Sequence, residues 1–249
     1  MSGHSKWHTI KHKKGAADAK RGKIFTRLIK ELTVAARGGG GDVDMNPRLR
    51  TIVAEAKAAN MPRENIERAI RRGTGEEPGV SYEEITYEAY GPGGVAILIA
   101  TLTDNKNRTV GEIRHLLGKH NGNLAAENSV AWMFAKKGQV VVEKGKADEE
   151  KLLSVALDAG ADDMNDDESG WEIVCAPERF EAVRDAVKAV GVEPASAAVA
   201  MIPQNYVKLI GKEAQQMLRL MEAIEDHDDV RHVWANFDIE EKEIEASLA

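Results

Sequence analysis

The first pattern along the chain is helical, and its two sides differ in chemistry. Between Ala16 and Arg37, apolar residues recur at three- and four-residue spacing, namely Phe25, Leu28, Ile29, Leu32, Ala35 and Ala36. At about 100° per residue, this spacing places them on one side of a helix. Four cations of the same segment fall on roughly the opposite side: Lys20, Lys23, Arg27 and Lys30. The pattern predicts a helix with one packing face and one row of cations, ended by the glycines at 38–41.

Two shorter helices are expected next, each with its own start signal. Asn46-Pro47 supplies an N-cap and a first-turn proline for a helix that reaches about Ala59. Asn60-Met61-Pro62 repeats that signal for a helix that reaches Arg72, and Gly73 is expected to end it. Three short amphipathic helices bury a shared core when they pack as a bundle.

Strand patterns dominate after a linker of glycine, proline and acidic residues at 73–79. They predict strands at 84–90 and 95–102, a helix at 108–120 and a strand at 130–134. From Gly138 to residue 201, the predicted order is strand, helix, two strands, helix and strand. This β-α-β-β-α-β order is typical of a ferredoxin-like unit.

The closing segment predicts half of another such unit. Its strand at 206–209, helix at 212–224 and strand at 230–237 complete the same order only with the elements of 95–134. We therefore expect an α+β fold, with an N-terminal three-helix domain followed by two ferredoxin-like domains, one inserted in the other. The expected domains are residues 1–78, residues 79–136 together with 203–240, and an insert at 137–202. A single broad antiparallel sheet is the alternative.

Charge is distributed unevenly along this framework. The 249 residues carry a formal net charge of −7. Residues 1–73 hold 17 Lys and Arg against 7 Asp and Glu, a net +10, whereas the remainder holds 17 against 34, a net −17. Such asymmetry indicates that the basic end binds a polyanion. The acidic remainder is expected to point away from that polyanion, or to bind a protein partner.

Composition argues against several classes of protein. Apolar runs stay well short of the roughly 18 residues needed to cross a bilayer, and the first residues lack the apolar segment of a signal peptide. A single cysteine, Cys175, excludes an internal disulfide framework and a multi-cysteine zinc site. We expect a cytoplasmic protein that binds no membrane, no metal and no other cofactor.

Phosphate contact is the chemistry that the basic end predicts. Each Lys or Arg placed on a phosphate releases counterions, which adds affinity without choosing a sequence. Trp7 is expected to stack on an unpaired base, with docking on the protein as the alternative. Residues 1–14 are expected to form a mobile arm. The predicted nucleic-acid-binding residues are Lys6, Trp7, Lys11, His12, Lys13, Lys14, Lys20, Arg21, Lys23, Arg27, Lys30, Arg48 and Arg50.

For other polar residues, structural roles are weighed against functional ones. Arg48 and Arg50 are equally well explained as surface residues. The arginines of the third helix are expected to form a solvated face, partly neutralised by Glu64 and Glu67. Residues 91–94 lack the Gly-Lys-Ser/Thr ending of a phosphate loop and predict a tight turn. Residues 104–109 either present donors to a ligand or cap a helix through Asn105 or Asn107, and we favour capping.

Catalytic and metal-binding patterns are weak. The string His227-Asp228-Asp229 with His232 lacks an evident third or fourth ligand partner. Cys175 has apolar neighbours and is expected to be a core thiol. The sequence contains no nucleophile elbow. We therefore expect a protein that is not an enzyme.

Short strings spread along the chain carry a resemblance to a known family. The first are Gly3-His4-Ser5-Lys6-Trp7, Ile10-Lys11-His12-Lys13-Lys14 and Lys20-Arg21-Gly22-Lys23. Others follow at 46–50, 60–62, 65–70, 90–94 and 102–109. Together they resemble the YebC/PmpR family over nearly the whole chain. The resemblance implies a bacterial cytoplasmic regulator with one helical and two ferredoxin-like domains. The departures are Ala89, Asn121 and Asn128, which stand where the family often has glycine.

The resemblance implies two roles that share the same residues. The one we favour is a non-enzymatic, DNA-binding transcriptional regulator whose helical domain grips the duplex. The alternative is a translation factor that contacts ribosomal or transfer RNA at stalled ribosomes, since relatives include a mitochondrial translational activator. An enzyme with a pocket between domains ranks third. The helix spacing does not fit the short turn of a helix-turn-helix motif, which counts against sequence-specific reading of DNA.

Overall fold

Helices precede two antiparallel sheets in the computed structural model of the chain. The structure describes Trp7 and residues 19–167 and 170–247, with the backbone alone at residues 19–21 and 167. No helix in these ranges is long and apolar enough to span a membrane. The expected α+β fold class, with helices first and mixed α and β structure after them, is confirmed.

Three helices form the helical domain, which we define as residues 19–74. They are α1 (Ala19–Gly39), α2 (Pro47–Ala58) and α3 (Arg63–Thr74). Their apolar sides meet in one core that includes Leu28, Leu32, Leu49, Ile52 and Ile66. As predicted, Asn46 caps α2, and its side-chain oxygen accepts from the Leu49 N–H at 3.1 Å. The end of α1 is set by Gly40, whose φ of 83° leaves the helical region.

Gly73 has a different role from the one predicted, because α3 continues through it. The helix ends at Thr74, and Gly75 with a φ of 85° is its C-cap. Gly73 instead lies where α3 crosses α1. A Cβ at this position would lie 2.4 Å from the Thr33 carbonyl oxygen and 2.6 Å from the Ala36 Cβ. Glycine is therefore required by the close approach of two helices rather than by a helix end.

Replacing Gly73 by alanine should destabilise the helical domain by about 1–3 kcal/mol, because the added methyl group has no space and α1 must shift. Gly38→Ala on α1 is the matched control, since a Cβ there meets nothing within 4 Å. Denaturant unfolding of both variants checks this expectation. A Gly73→Ala protein as stable as the control would contradict the described helix crossing.

The first sheet combines strands from two distant parts of the sequence. Its order is β3-β1-β2-β9, and each neighbouring pair is antiparallel. The strands are β1 (Glu83–Tyr90), β2 (Ala96–Thr103), β3 (Asn123–Leu124) and β9 (Val230–Ala235). Helices α4 (Lys106–Lys119) and α7 (Gly211–Glu225) contribute Ile113, Leu117 and Met217 to its core. Residues near 230 therefore complete a sheet that begins near residue 83.

One strand assignment and one sheet position expected from the sequence are wrong. Residues Ala131–Met133 form a 3-10 turn instead of a strand. The reason is the buried carboxylate of Glu88, which accepts the backbone N–H groups of Asn128, Val130 and Ala131 at 2.6, 2.6 and 2.9 Å. These donors turn around the carboxylate, so they are not available to a strand ladder. Burial alone would raise the pKa of Glu88, but the backbone donors lower it below the usual value.

The wrong sheet position concerns the closing segment. The strand expected at 206–209 is β8 (Val207–Lys208), which pairs in parallel with β10 (Phe237–Asp238) as a separate small sheet. In the first sheet, β1 occupies the position that was expected for the strand at 206–209. The final helix α8 (Glu241–Ser247) was not predicted from the sequence, and its Ile244 is buried in the first-sheet core.

The second sheet has the β-α-β-β-α-β order that the sequence predicts. Its order is β5-β6-β4-β7, again antiparallel throughout. The elements are β4 (Phe134–Glu143), α5 (Glu149–Asp158), β5 (Ala161–Asp167), β6 (Gly170–Cys175), α6 (Phe180–Ala189) and β7 (Ser196–Pro203). Apart from the small sheet of β8 and β10, the described strands thus form two four-stranded sheets rather than a single broad one. The domain boundaries at 136/137 and 202/203 stay a prediction.

Several turns depend on residues that tolerate a positive φ. The predicted turn at 91–94 contains the 3-10 turn Pro92–Gly94, with φ of 70° at Gly93 and 79° at Gly94. Asn121 and Asn128, which stand where the resembled family often has glycine, adopt φ of 61° and 63°. Asparagine is one of the few other residues that occupies this region readily. Both asparagines therefore keep a glycine-like backbone.

Candidate nucleic-acid interface

The cationic side of α1 faces solvent only in part. Lys23 and Arg27 are exposed, but Lys30 is only 9% exposed. The Lys30 Nζ donates to Asp229 Oδ1 at 2.6 Å and to the Asp228 carbonyl at 3.1 Å, and the Lys23 Nζ donates to the Asp226 carbonyl at 3.0 Å. The expectation that the acidic remainder points away from the basic end is therefore wrong for this turn. The Asp229 carboxylate neutralises Lys30, and the two backbone carbonyls accept hydrogen bonds from Lys23 and Lys30.

Asp229 is the centre of a buried polar cluster. It is 3% exposed, and Arg108 and Thr109 each donate to its Oδ2 at 2.7 Å, in addition to Lys30. The Thr103 hydroxyl donates at 3.1 Å. Burial alone would raise the pKa of Asp229, but hydrogen bonds from Lys30, Arg108 and Thr109 hold it far below its usual value. The hydrogen bond with Asp229 raises the pKa of Arg108, so Asp229 and Arg108 both stay charged.

A second ionic link joins α2 to the first sheet. The Arg48 guanidinium binds the carboxylate of Glu84 on β1. Arg231 on β9 contacts the same carboxylate at 3.3 Å and Glu31 of α1 at 3.2 Å. Arg48 was predicted to contact phosphate, but its side chain forms an ion pair with the Glu84 carboxylate. Arg50 is exposed and donates to the Asp44 carbonyl at 3.2 Å.

A cleft of about 810 Å³ lies between α1, α4 and the turn at 226–229. Basic, acidic and imidazole side chains line it, among them Lys23, Lys30, Arg108, His115, Asp226 and His227. Three groups in this region, Glu112, His227 and Asp229, have ligand atoms within 4.8 Å of one another. No sequence pattern indicated Glu112 as the third group. Because Lys30 and Arg108 already neutralise Asp229, the cluster is an ion-pair network, and absence of a metal stays a prediction.

Trp7 does not occupy a position from which it can stack on a base. Its side chain is 1% exposed and belongs to the first-sheet core. The indole Nε1 donates to Glu225 Oε1 at 3.0 Å. The prediction of base stacking is wrong for this structure, and the alternative, docking on the protein, describes the observed position. A large aromatic ring with a polar edge is well suited to this, since the ring is buried while the N–H keeps a partner.

Replacing Trp7 by phenylalanine should lower the free energy of unfolding by about 1.5 kcal/mol, because an aromatic ring remains while the hydrogen bond to a charged acceptor is lost. Trp132→Phe is the matched control. Its Nε1 also donates a hydrogen bond, to the Ser129 carbonyl at 3.0 Å, but the residue is 66% exposed. We expect that change to cost less than about 0.5 kcal/mol. Equal effects in denaturant unfolding would contradict the different burial of the two residues.

Three of the four arginines of α3 form ion pairs with acids on or beside the same helix, as the solvated-face interpretation predicts. Arg63 pairs with Glu67 at 2.6 Å, Arg68 pairs with Glu64 at 2.5 Å, and Arg71 pairs with Glu77 at 2.6 Å. Arg27 of α1 lies 3.8 Å from Glu31. Surface pairs of this kind add little stability. Their consequence is that much of the domain's positive charge is locally balanced.

The remaining predicted binding residues have no described side chain. Lys20 and Arg21 lie in the first turn of α1, where the structure describes the backbone alone. The mobile arm expected at 1–14 also falls outside the described residues, apart from Trp7. So do the predicted contacts Lys6, Lys11, His12, Lys13 and Lys14.

As we favoured, Asn105 caps α4 by accepting from the Arg108 N–H at 3.1 Å.

Sequence reasoning missed which acidic groups accept hydrogen bonds from the predicted cations. The strings at 104–109 and 227–229 were each noted separately, but Arg108 and Asp229 are 121 positions apart. Only the pairing of β2 with β9 brings them together. No local pattern in the sequence reports that contact.

Two family models match the chain. One, described as the TACO1/YebC protein N-terminal domain, matches residues 5–76. The other, described as the TACO1/YebC second and third domain, matches residues 82–237. A relative from Koribacter versatilis is 61% identical over 245 residues, or 98% of each chain. A relative from Geobacter sulfurreducens is 59% identical over 245 residues, or 98% of this chain and 99% of its own. Both are named "probable transcriptional regulatory protein".

The fold also has a solved counterpart. A crystal structure of a conserved hypothetical protein from Aquifex aeolicus is 44% identical, with a TM-score of 0.79. The match covers 90% of this chain and 93% of that one. The resemblance seen in the sequence strings is thereby confirmed. This chain belongs to the TACO1/YebC family.

Proposed function

We propose that this chain is a non-enzymatic, DNA-binding regulator of transcription that works in the cytoplasm. The names of its relatives support the regulatory role. The observation that carries DNA binding is the charge of residues 6–21, which hold six Lys and Arg and one Asp. Further along the helical domain, by contrast, Lys30, Arg48 and three arginines of α3 already contact carboxylates. The basic segment is thus the richest source of phosphate contacts.

Binding of this kind is electrostatic and largely independent of sequence. Six cations that each contact a phosphate give a log-log salt slope of about −5 on duplex DNA. Such contacts set the position and affinity of the protein but do not select bases. Within the described residues, helices α1 and α2 are joined by a segment longer than the short turn of a helix-turn-helix motif. We therefore propose that sequence preference, where present, comes from DNA shape or from a protein partner of the acidic domains.

The acidic part of the chain orients this interaction. Residues 74–249 carry a net −17, so a duplex is repelled from most of that surface. The approach that remains is from the helical domain. A protein partner on the acidic surface is compatible with this arrangement, because it would leave the basic end accessible.

Crosslinking the chain to nucleic acid in cells and sequencing the attached fragments tests the proposal. We expect fragments of genomic DNA upstream of genes, joined to peptides from the first 21 residues. Recovery of ribosomal or transfer RNA instead would replace the proposal with the translation-factor role. Co-sedimentation with ribosomes, lost when residues 1–14 are removed, would independently indicate that second role.

A further inference from the structure

The helical domain and the body, which we define as residues 82–247, have separate apolar cores. Among the described residues, the helical core draws on positions between 25 and 70. The core of the first sheet draws on positions from 87 onward, together with Trp7. Trp7 lies outside both ranges, and within the described residues the hydrogen bonds and ion pairs that join the two units run from α1 and α2 to the body. Polar links between units are sensitive to salt and to competing ions, whereas a shared apolar core is not.

Most of these links have the same polarity. The helical domain supplies cations and the body supplies oxygen acceptors: Lys23 with the Asp226 carbonyl, Lys30 with Asp229 and Arg48 with Glu84. One pair has the opposite sense, because Arg231 of the body contacts Glu31 of α1. The body therefore presents carboxylates and carbonyls to cations that would otherwise be available to a phosphate.

We propose that this acidic face of the body is a built-in competitor of nucleic acid, so that a polyanion and the body exclude each other at α1 and α2. The inference rests on the proposed function and adds a regulatory contact to it. Carboxylate and phosphate oxygens accept from the same ammonium and guanidinium donors. A bound duplex replaces Asp229 and Glu84 as the partner of Lys30 and Arg48, and the helical domain separates from the body.

Domain-internal partners make that separation feasible. When Lys30 leaves, Asp229 keeps Arg108, Thr103 and Thr109, which all belong to the body. When Arg48 leaves, Glu84 keeps Arg231.

The reversed pair follows the same rule. When Arg231 leaves Glu31, that carboxylate keeps Arg27 of its own helix at 3.8 Å. Breaking a buried ion pair is costly mainly when a charge is left without compensation. In this interface each carboxylate has a second cation on its own side.

Two substitutions test the competition by releasing one helical cation each. Asp229→Asn removes the carboxylate that holds Lys30. Glu84→Gln removes the one that holds Arg48, and because Glu84 is 47% exposed this variant should fold even if the first does not. Asp162→Asn is the control, since it removes the same charge from an exposed pair with Lys137 inside the second-sheet unit.

Binding to a short DNA duplex, and separately to heparin, is measured across a range of salt. Each released cation should raise affinity by up to about fivefold near 0.15 M salt, because the duplex no longer has to break that ion pair, whereas the control should show no such change. The log-log slope should stay the same, because the duplex contacts the same cations in all of these chains. If Glu84→Gln binds DNA with the affinity of the unaltered chain, the competition is overturned. If heparin binding responds as expected while DNA does not bind, the competition stands and the proposed function fails. If neither polyanion binds, both fall.

Hydrogen exchange in the unaltered chain provides the direct readout. The amides of residues 226, 227, 229 and 230 donate hydrogen bonds within the body, in or next to the turn that holds Lys23 and Lys30. Adding DNA or heparin should speed exchange at 226–230 because the turn loses its contact with α1. Bound polyanion with unchanged or slower exchange at these amides would overturn the inference, since it would show that the two domains stay in contact.

Discussion

Replacing the six Lys and Arg of residues 6–21 by glutamine should weaken binding to duplex DNA by at least about 100-fold at 0.1 M salt. The physical reason is the loss of counterion release. If all six side chains contact phosphate, the log-log salt slope should become shallower by about 5. Fluorescence anisotropy of a labelled duplex, titrated at several salt concentrations, measures both quantities. The substituted residues are Lys6, Lys11, Lys13, Lys14, Lys20 and Arg21.

A matched control changes the net charge equally without altering the basic end. It replaces six exposed cations of the second-sheet unit by glutamine: Lys136, Lys144, Lys146, Lys151, Arg179 and Lys188. We expect the control to keep its salt slope, because a distant surface charge alters affinity only through the screened field. Equal weakening of both variants would mean that net charge alone governs binding, and a separate DNA-binding segment would then have no support.

The helical domain was largely predictable because its determinants are local. Asn46 is followed by a proline and then by apolar residues at helical spacing, and the structure places that cap and that helix where the sequence predicts them. Gly73 shows where local reasoning fails. A glycine near the end of a helical pattern indicates a C-cap. A glycine required by a second helix looks the same in the sequence, because its cause is Thr33, which lies 40 positions earlier.

The strand error at 130–134 has a comparable origin. Val130 to Phe134 is apolar enough to predict a strand. Its backbone donors instead surround the carboxylate of Glu88, which lies 42 positions before Val130. A buried carboxylate with three backbone donors determines the local chain path more strongly than β-propensity, which spans only about 1 kcal/mol. Hydrophobic patterning does not report such a contact, because glutamate is normally an exposed residue.

The candidate site was predicted as a set of cations but not as an arrangement. Lys23, Lys30 and Arg48 follow from charge and helical spacing alone. Their acceptors do not, since Lys30 and Asp229 are 199 positions apart. Trp7 illustrates the same limit, because an aromatic residue among lysines is expected to face a ligand, whereas its partner Glu225 lies 218 positions away. Sequence patterns identify which residues carry charge, and only the fold decides which charges meet.

Replacing Asp229 by alanine should lower the free energy of unfolding by about 3–5 kcal/mol, because removing one partner of a buried ion pair leaves the others uncompensated. Lys30 and Arg108 both lose their carboxylate, and the hydroxyls of Thr103 and Thr109 lose an acceptor. Denaturant unfolding at pH 7 measures the loss. Asp228→Ala is the neighbouring control: that side chain is exposed, and the carbonyl that Lys30 uses remains, so its effect should stay within about 0.5 kcal/mol.

The pH dependence distinguishes this cluster from ordinary packing. Because the pKa of Asp229 is lower in the folded chain than in the unfolded one, its contribution is fully present above the unfolded value of about 3.9. It is lost as the pH falls from that value through the folded pKa. The stability difference between the unaltered chain and Asp229→Ala should therefore be constant from pH 5 to 7. At these pH values, which lie at least about one unit above the unfolded pKa of about 3.9, the carboxylate is ionised in both the folded and the unfolded chain. The difference should shrink below about pH 4. If it persists unchanged at lower pH, the Asp229 side chain acts through its volume and not through its charge.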